Sequence, residues 1–341
     1  MKDILRRIKR ARIVTPLITL ALLFLFNLIF KRDFFLIEIK EGHLYGNLID
    51  ILKNAAPIML LAIGLTLVIA TKGIDISVGS VVAVSAATVA RLIGGDMGGE
   101  PLFPLWFAIF GALLVSTLAG MWNGMLVSIV GMQPIIATLI LFVAGRGIAM
   151  VLTNAQIIWL YYKPFFYIGT GYLLGLPFDI YIVVFVLIAT ILLTRRTALG
   201  LFIESVGINP TATRFSGIKV RNIIFWCYAF SGFCAGVSGI IVASIVHQAD
   251  GNNAGNLFEL DAILAVVLGG TSLNGGKFYL VGSMVGALII QTLTTTIYAF
   301  NVPPEISQIV KALVVYGLSL AQSEKFRSMI TDIFRREERR V

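Results

Sequence analysis

L-T-R-R-T-A-L-G-L-F-I-E-S-V-G-I-N-P-T-A-T-R-F-S-G-I-K-V-R, running from Leu193 to Arg221, is a polar stretch between two runs apolar enough for lipid. It carries Arg195, Arg196, Glu204, Arg214, Lys219 and Arg221, with Gly200, Gly207, Gly217 and Pro210. Flanked by hydrophobic spans, it has to be a loop in water. Short loops rich in Lys and Arg stay on the cytoplasmic side. Ala198–Val206 reads as a short helix, stopped by Gly207 and by the turn signal Asn209-Pro210. A helix held in the cytosol between two spans is a handle for a soluble partner. A solvated connector without a partner accounts equally well for the charge and the length.

Working outward, the chain has 341 residues, 58% hydrophobic and 13% charged, with a mean hydropathy of +0.92. Soluble domains carry about a quarter charged residues. The apolar residues come in runs of roughly 17–25, the length a helix needs to cross a bilayer. Short alternating segments, the mark of a membrane barrel, are not the pattern. The fold class is therefore all-α: a polytopic transmembrane helical bundle of about ten spans with both termini cytoplasmic. The spans read as 13–30, 54–71, 77–93, 104–130, 134–152, 178–194, 222–246, 257–272, 279–299 and 305–322. All of 1–341 reads as one transmembrane domain with a basic tail at 1–12, a cytoplasmic loop at 195–221 and a second basic tail at 323–341.

Net charge is +9, and most of it sits in the two tails and the central loop. Those patches flank membrane spans on the cytoplasmic side, where anionic lipid is the fitting contact; nucleic acid is not. The loops obey the same sign rule. Gly94–Pro101 and His247–Asn256 carry no Lys or Arg and 153–177 carries only Lys163, so all three read as outer loops. Lys31–Lys53 carries both signs and discriminates little. The basic start followed by apolar Ile13–Phe30 is similar to a signal peptide. The apolar part is too long, and no A-x-A-like site follows, so it reads as an uncleaved first span.

Tyr161, Tyr162, Phe165, Phe166, Tyr167, Tyr172 and Trp159 crowd the 153–177 segment. They fit an interfacial or re-entrant helix, and sugars also stack on such rings. Gly120 with Gly124, Gly232 with Gly236, and Gly282 with Gly286 are G-x-x-x-G pairs that let helix backbones approach closely. Cys227 and Cys234 share one predicted helix face and read as small core residues. His43 and His247 are isolated. Two stretches interrupt the apolar pattern: Ala70–Ser80, A-T-K-G-I-D-I-S-V-G-S, and Leu268–Ser283, L-G-G-T-S-L-N-G-G-K-F-Y-L-V-G-S. Their shared Val-Gly-Ser hints at an internal repeat. Either they are tight cytoplasmic turns, or they are broken backbone lining a cavity at membrane depth. Arg146 lies well inside a span between Gly145 and Gly147, so it should pair, with Asp75 and Asp261 as candidates, or snorkel to the interface.

The chain shows no energy source of its own. Gly270–Phe278 fails as a phosphate-binding loop on spacing and on the hydroxyl that should follow Lys277. H-E-x-x-H and G-x-S-x-G are also absent from the sequence, so an enzyme is poorly supported. A self-sufficient secondary transporter or channel would show acids inside its spans. Asp75, Glu259, Asp261 and Glu305 instead lie near span ends.

Ala70–Ser80, E-S-V-G-I-N-P-T-A-T-R-F-S-G-I-K-V (Glu204–Val220) and L-D-A-I-L-A-V-V-L-G-G-T-S-L-N-G-G-K-F (Leu260–Phe278) resemble the permease subunits of bacterial ATP-binding-cassette (ABC) sugar importers of the ribose and galactose type. The resemblance runs from about Asn47 to Ser323. It is nearest to the galactofuranose-type permease, through A-P-I-M-L-L-A-I-G-L-T-L-V-I-A-T (Ala56–Thr71), N-N-A-G (Asn252–Gly255) and L-F-E-L-D-A-I-L-A-V-V (Leu257–Val267). It implies a multi-pass inner-membrane subunit, paired with a second permease and driven by two cytosolic ATPase subunits. A periplasmic sugar-binding protein would deliver the cargo, and ATP and Mg would be bound by the ATPase rather than by this chain. It also implies that Glu204, Gly207, Asn209, Arg214 and Gly217 form the element coupled to the ATPase. Thr213 departs from the small residue usual before that arginine. Gly73, Asp75, Ser77, Gly79, Arg146, Gly269, Gly270 and Asn274 are the residues expected along the sugar's path.

Overall fold

The computed structural model describes residues 13–40, 43–94 and 101–322. The basic tails at 1–12 and 323–341 and most of the Gly94–Pro101 loop lie outside the described residues. In chain order the helices are α1 (Val14–Phe30), α2 (Asn47–Ala70), α3 (Val78–Ile93), α4 (Leu105–Met125, continued by a π turn over Leu126–Val130) and α5 (Pro134–Leu152). Then come α6 (Lys163–Thr170), α7 (Phe178–Arg196), α8 (Leu199–Ile208), α9 (Pro210–Phe215), α10 (Val220–Val246), α11 (Phe258–Leu268), α12 (Leu280–Ala299) and α13 (Pro304–Gln322). Three two-stranded antiparallel ladders join them: β1 (Glu38–Lys40) with β2 (His43–Tyr45), β3 (Ile158–Trp159) with β6 (Gln248–Ala249), and β4 (Tyr172–Leu173) with β5 (Leu176–Pro177).

Six of these helices are long and apolar enough to cross a membrane: α2, α4 with its π turn, α5, α7, α10 and α12. The remaining expected spans are shorter. α1 has 17 residues and α3 has 16, and the apolar part of α13 is Ile306–Gly317. The 257–272 run is reduced to the 11 residues of α11. Eleven residues rise about 16 Å, roughly half the bilayer core. Hydropathy counts apolar residues whether or not they are helical, and here the Gly269-Gly270 pair and a preceding polar segment take part of the run.

The bundle is organised on α2 and α10. α2 is almost wholly buried from Ala55 to Ala70, and α10 runs beside it, against α4 on another face and α3 on a third. Ser238 of α10 donates to the Pro57 carbonyl of α2 at 3.2 Å. The G-x-x-x-G pairs meet as their spacing predicts. Gly120 and Gly124 of α4 face Gly232 and Phe225 of α10, while Gly282 and Gly286 of α12 face Gly269 and Ala265. A Cβ at Gly232 would stand 2.5 Å from the Ser116 carbonyl oxygen and 2.8 Å from Gly120 Cα, so neither backbone has room to yield. Gly232→Val is therefore expected to lower stability by about 1–3 kcal/mol, the usual penalty of overpacking. Thermal unfolding in detergent reads it, and an unshifted midpoint counts against this crossing.

At the end of α10 away from α8 and α9, the 153–177 segment caps the bundle. α6 lies on α10, with Ser244 donating to the Phe165 carbonyl at 2.8 Å and accepting from the Gly169 N–H at 2.8 Å. Phe165 is fully buried, whereas Trp159, Tyr161 and Tyr167 remain exposed as an interfacial belt requires. The two histidines are not isolated: His43 stacks on Tyr172, and His247 stacks on Phe166 at 3.8 Å between ring centres. Burial, helped by nearby Lys53, lowers the pKa of His247, which keeps the stacked ring neutral. Cys227 and Cys234 are free and buried.

Candidate functional site

The polar stretch that opened the sequence reading folds as an elbow of two short helices, α8 and α9. Asn209 makes the joint. Its Oδ1 accepts from the N–H groups of Thr211 and Ala212, both at 3.1 Å, which caps α9, and Pro210 fills the first helical position, where a missing N–H costs nothing. α9 ends in a Schellman closure. Ile218 N–H reaches the Thr213 carbonyl at 3.3 Å and Gly217 N–H the Arg214 carbonyl at 3.0 Å. Gly217 has φ +83° with open space around it, so it is needed for its backbone conformation and not for clearance. Thr213, the departure from the family pattern, is buried, and its Oγ1 donates to the Asn209 carbonyl at 2.8 Å.

Gly207 seats the elbow on the bundle. A side chain there would overlap the Ala70 carbonyl oxygen and the Gly276 backbone nitrogen. Those two groups are bonded to each other, Gly276 N–H to the Ala70 carbonyl at 2.9 Å. The two glycine-broken stretches thus meet directly beneath the elbow. Lys72 Nζ adds a bond to the Ile208 carbonyl at 3.2 Å. Glu204 faces the root of α7, 4.0 Å from Arg195, whose guanidinium lies 5.5 Å from the Phe278 ring centre. Of the five expected coupling residues, Gly207 seats the elbow, Glu204 lies at 4.0 Å from Arg195, Asn209 and Gly217 shape the joint and its end, and Arg214 is exposed. Sequence reasoning passed over three apolar residues on the same element, Leu201 at 66% exposure, Ile208 at 65% and Phe215 at 88%. Their signal was an apolar residue recurring every seventh position through a charged loop.

The first broken stretch does not stay at the surface. After Ala70 the chain turns inward, and Asp75 ends 1% exposed. Ser77 donates to Asp75 Oδ1 from its Oγ at 2.6 Å and its N–H at 3.0 Å, and Ser231 Oγ donates to Oδ2 at 3.0 Å. Asn123 Nδ2 bonds Ser77 Oγ at 2.8 Å, and Tyr228 OH bonds the Ile74 carbonyl at 3.3 Å. A carboxylate caged by neutral donors thereby ties the 71–77 turn to α4 and α10. Ser77 and Gly79 are buried with it, Gly73 lies against Tyr228 OH, and Gly269 lies against Gly282. These positions sit in packed interior. Gly270 is half-buried and turns the second stretch at φ +90°, and Asn274 is exposed at its tip.

Arg146 has partners other than the acids expected. Its Nη1 donates to the Ala254 carbonyl at 2.6 Å and to that of Gly251 at 3.4 Å. Asp75 is held in its own cage, and Asp261 pairs with Lys311 at 2.6 Å. The arginine's reach is set by which helix faces α5, and that is α3 with the segment after β6. That segment is not the solvated outer loop its composition predicts. Gly251 lies against the Ala149 carbonyl of α5, and Gly255 against the Gly79 carbonyl of α3. Asp250 rigidifies its start, accepting from the N–H groups of Asn252 at 2.8 Å and Asn253 at 3.2 Å, and from Asn253 Nδ2 at 2.7 Å.

Residues 47–319 match the family model described as branched-chain amino acid transport system / permease component. The galactofuranose transporter permease protein YtfT of Escherichia coli (strain K12) is 47% identical over 333 residues, covering 98% of this chain and 96% of that protein. The fructose import permease protein FruF of Bifidobacterium longum (strain NCC 2705) is 38% identical, with 98% and 94% covered. The ribose import permease protein RbsC of Haemophilus influenzae (strain ATCC 51907 / DSM 11121 / KW20 / Rd) is 37% identical, with 81% and 85% covered. No solved structure matches the chain. A match across nearly every helix described above, joined to six helices of membrane length, makes this a multi-pass membrane protein that belongs to the permease-component family.

Proposed function

We propose that this chain is the membrane-spanning permease subunit of an ATP-binding-cassette importer that carries a monosaccharide of the galactofuranose, hexose or pentose class across the bacterial inner membrane. The cargo class rests on the relatives named for galactofuranose, fructose and ribose. One observation carries the mechanism: Gly207 presses the elbow onto the junction of Ala70 and Gly276. Motion of the elbow is therefore handed to both helix breaks at once, and from the first break to the caged Asp75 between α4 and α10. In this reading the elbow and both termini are cytoplasmic. The six long helices, with α1, α3, α11 and α13, make up about ten membrane segments.

Two cytosolic ATPase subunits dock on Leu201, Ile208, Arg214 and Phe215, and they hold the ATP and Mg. A second permease completes the sugar's path, and a periplasmic binding protein delivers the sugar. Alternating access follows, since a packed interface of this kind switches between discrete arrangements. The test is reconstitution in liposomes with the neighbouring ATPase and binding proteins, offering labelled galactofuranose, fructose and ribose. Uptake should require enclosed ATP and both partners. Uptake by the chain alone on a proton or sodium gradient would make it a secondary transporter instead.

A further inference from the structure

The 250–257 segment lies deep in the bundle. Arg146, which holds it, is twelve residues beyond Pro134 in α5, about 18 Å along the helix and about 9 Å short of its end at Leu152. Gly255 touches the first turn of α3, about 20 Å from the far end of that helix at Ile93. Non-helical backbone at such depth survives only where protein buries it or where it lines water. Gly251 and Gly255 are buried against α5 and α3, but Asn252, Asn253 and Asn256 are exposed. Asn253 donates to Asp250, but the amides of Asn252 and Asn256, facing hydrocarbon, would each cost several kcal/mol, roughly 4–8 on the alkane scale. The charged groups nearby are already engaged: Asp250 by its own turn, and Arg146 by the Gly251 and Ala254 carbonyls with Glu259 and Asp250 close enough to offset its charge.

We propose that this turn segment is the cargo-contacting wall of the sugar's path, with the amides of Asn252 and Asn256 meeting sugar hydroxyls. The inference rests on the importer reading above. A neutral polyhydroxylated cargo is matched by amides, which both donate and accept and carry no charge to desolvate. Arg146 is a positioning residue: it ties the carbonyls of Gly251 and Ala254 to α5 and so keeps the amides at that depth.

Two measurements test it. Cys227 and Cys234 are buried, so a new surface thiol can be followed alone in the full chain. Asn252→Cys and Asn256→Cys in native membranes should react with a charged, membrane-impermeant methanethiosulfonate at least about tenfold faster than Val143→Cys on the exposed apolar face of α5, because thiolate forms in water and not in lipid. Equal rates overturn the water-lined wall. In the reconstituted complex, Asn252→Ala and Asn256→Ala should lower uptake at least about tenfold at unchanged amounts in the membrane, and Asn256→Gln should recover part of it, as expected for lost hydrogen bonds. Native uptake in both alanine variants overturns cargo contact. Thiol labelling does not depend on what is carried, so a native chain that labels as expected yet imports no sugar with ATP faults the importer reading separately.

Discussion

Gly207→Val is expected to abolish coupled uptake, by at least about a hundredfold, a factor that corresponds to about 2.7 kcal/mol. The added side chain cannot be absorbed by a rotamer change, because its neighbours are backbone: the Ala70 carbonyl oxygen and the Gly276 nitrogen. Either the elbow lifts from the bundle or the 2.9 Å bond between those two groups breaks. Overpacking costs about 1–3 kcal/mol, and a buried carbonyl and N–H left unpaired add roughly 1–3 more. The clash is confined to one end of α8, so the chain should still reach the membrane and, on the docking proposed above, bind an ATPase through Leu201, Ile208 and Phe215. The signature is therefore ATP hydrolysis without transport. Sugar uptake and ATPase rate measured on the same liposomes read it. Native uptake by Gly207→Val would remove the elbow's seat from the mechanism.

Asp261→Ala and Lys311→Ala are expected to destabilise the chain by about 3–5 kcal/mol each, with the double replacement costing far less than the sum. The pair bridges α11 and α13 at 2.6 Å, with side chains only 14% and 21% exposed. Removing one partner leaves the other charge in apolar surroundings, which is dearer than removing both. α11 is also the helix too short to cross by itself, so its position depends on this tie and on the close packing of Gly269 and Ala265 against α12. Thermal unfolding of the two single variants and the double variant in detergent gives the coupling directly. If the single replacements shift stability by less than about 0.5 kcal/mol, the pair is ornamental surface charge of the ordinary kind.

The chemistry of local segments was readable before any folding was known. Run lengths of apolar residues identify long helices because a bilayer sets the length. The elbow announced itself by charge, by Gly207 and by Asn209-Pro210, each acting within a few residues of itself. Glycines four apart announced backbone contact because the helical period puts both on one face. The partners across the bundle were not readable. Arg146 has no sequence neighbour that says it will hold the carbonyls of Gly251 and Ala254, and nothing near Asp75 names Ser231.

The polar run after α10 shows the limit most plainly. H-Q-A-D-G-N-N-A-G-N has the composition of an outer loop, and its residues alone place it in water. Folded, it packs between α3 and α5, because Gly251 and Gly255 are small enough to lie on two helix backbones. Composition determines what solvent a segment can tolerate, since transfer energies belong to residues. Depth and partners are decided only by tertiary packing, since they depend on which helix faces meet, and those faces are assembled from parts of the chain more than a hundred residues apart.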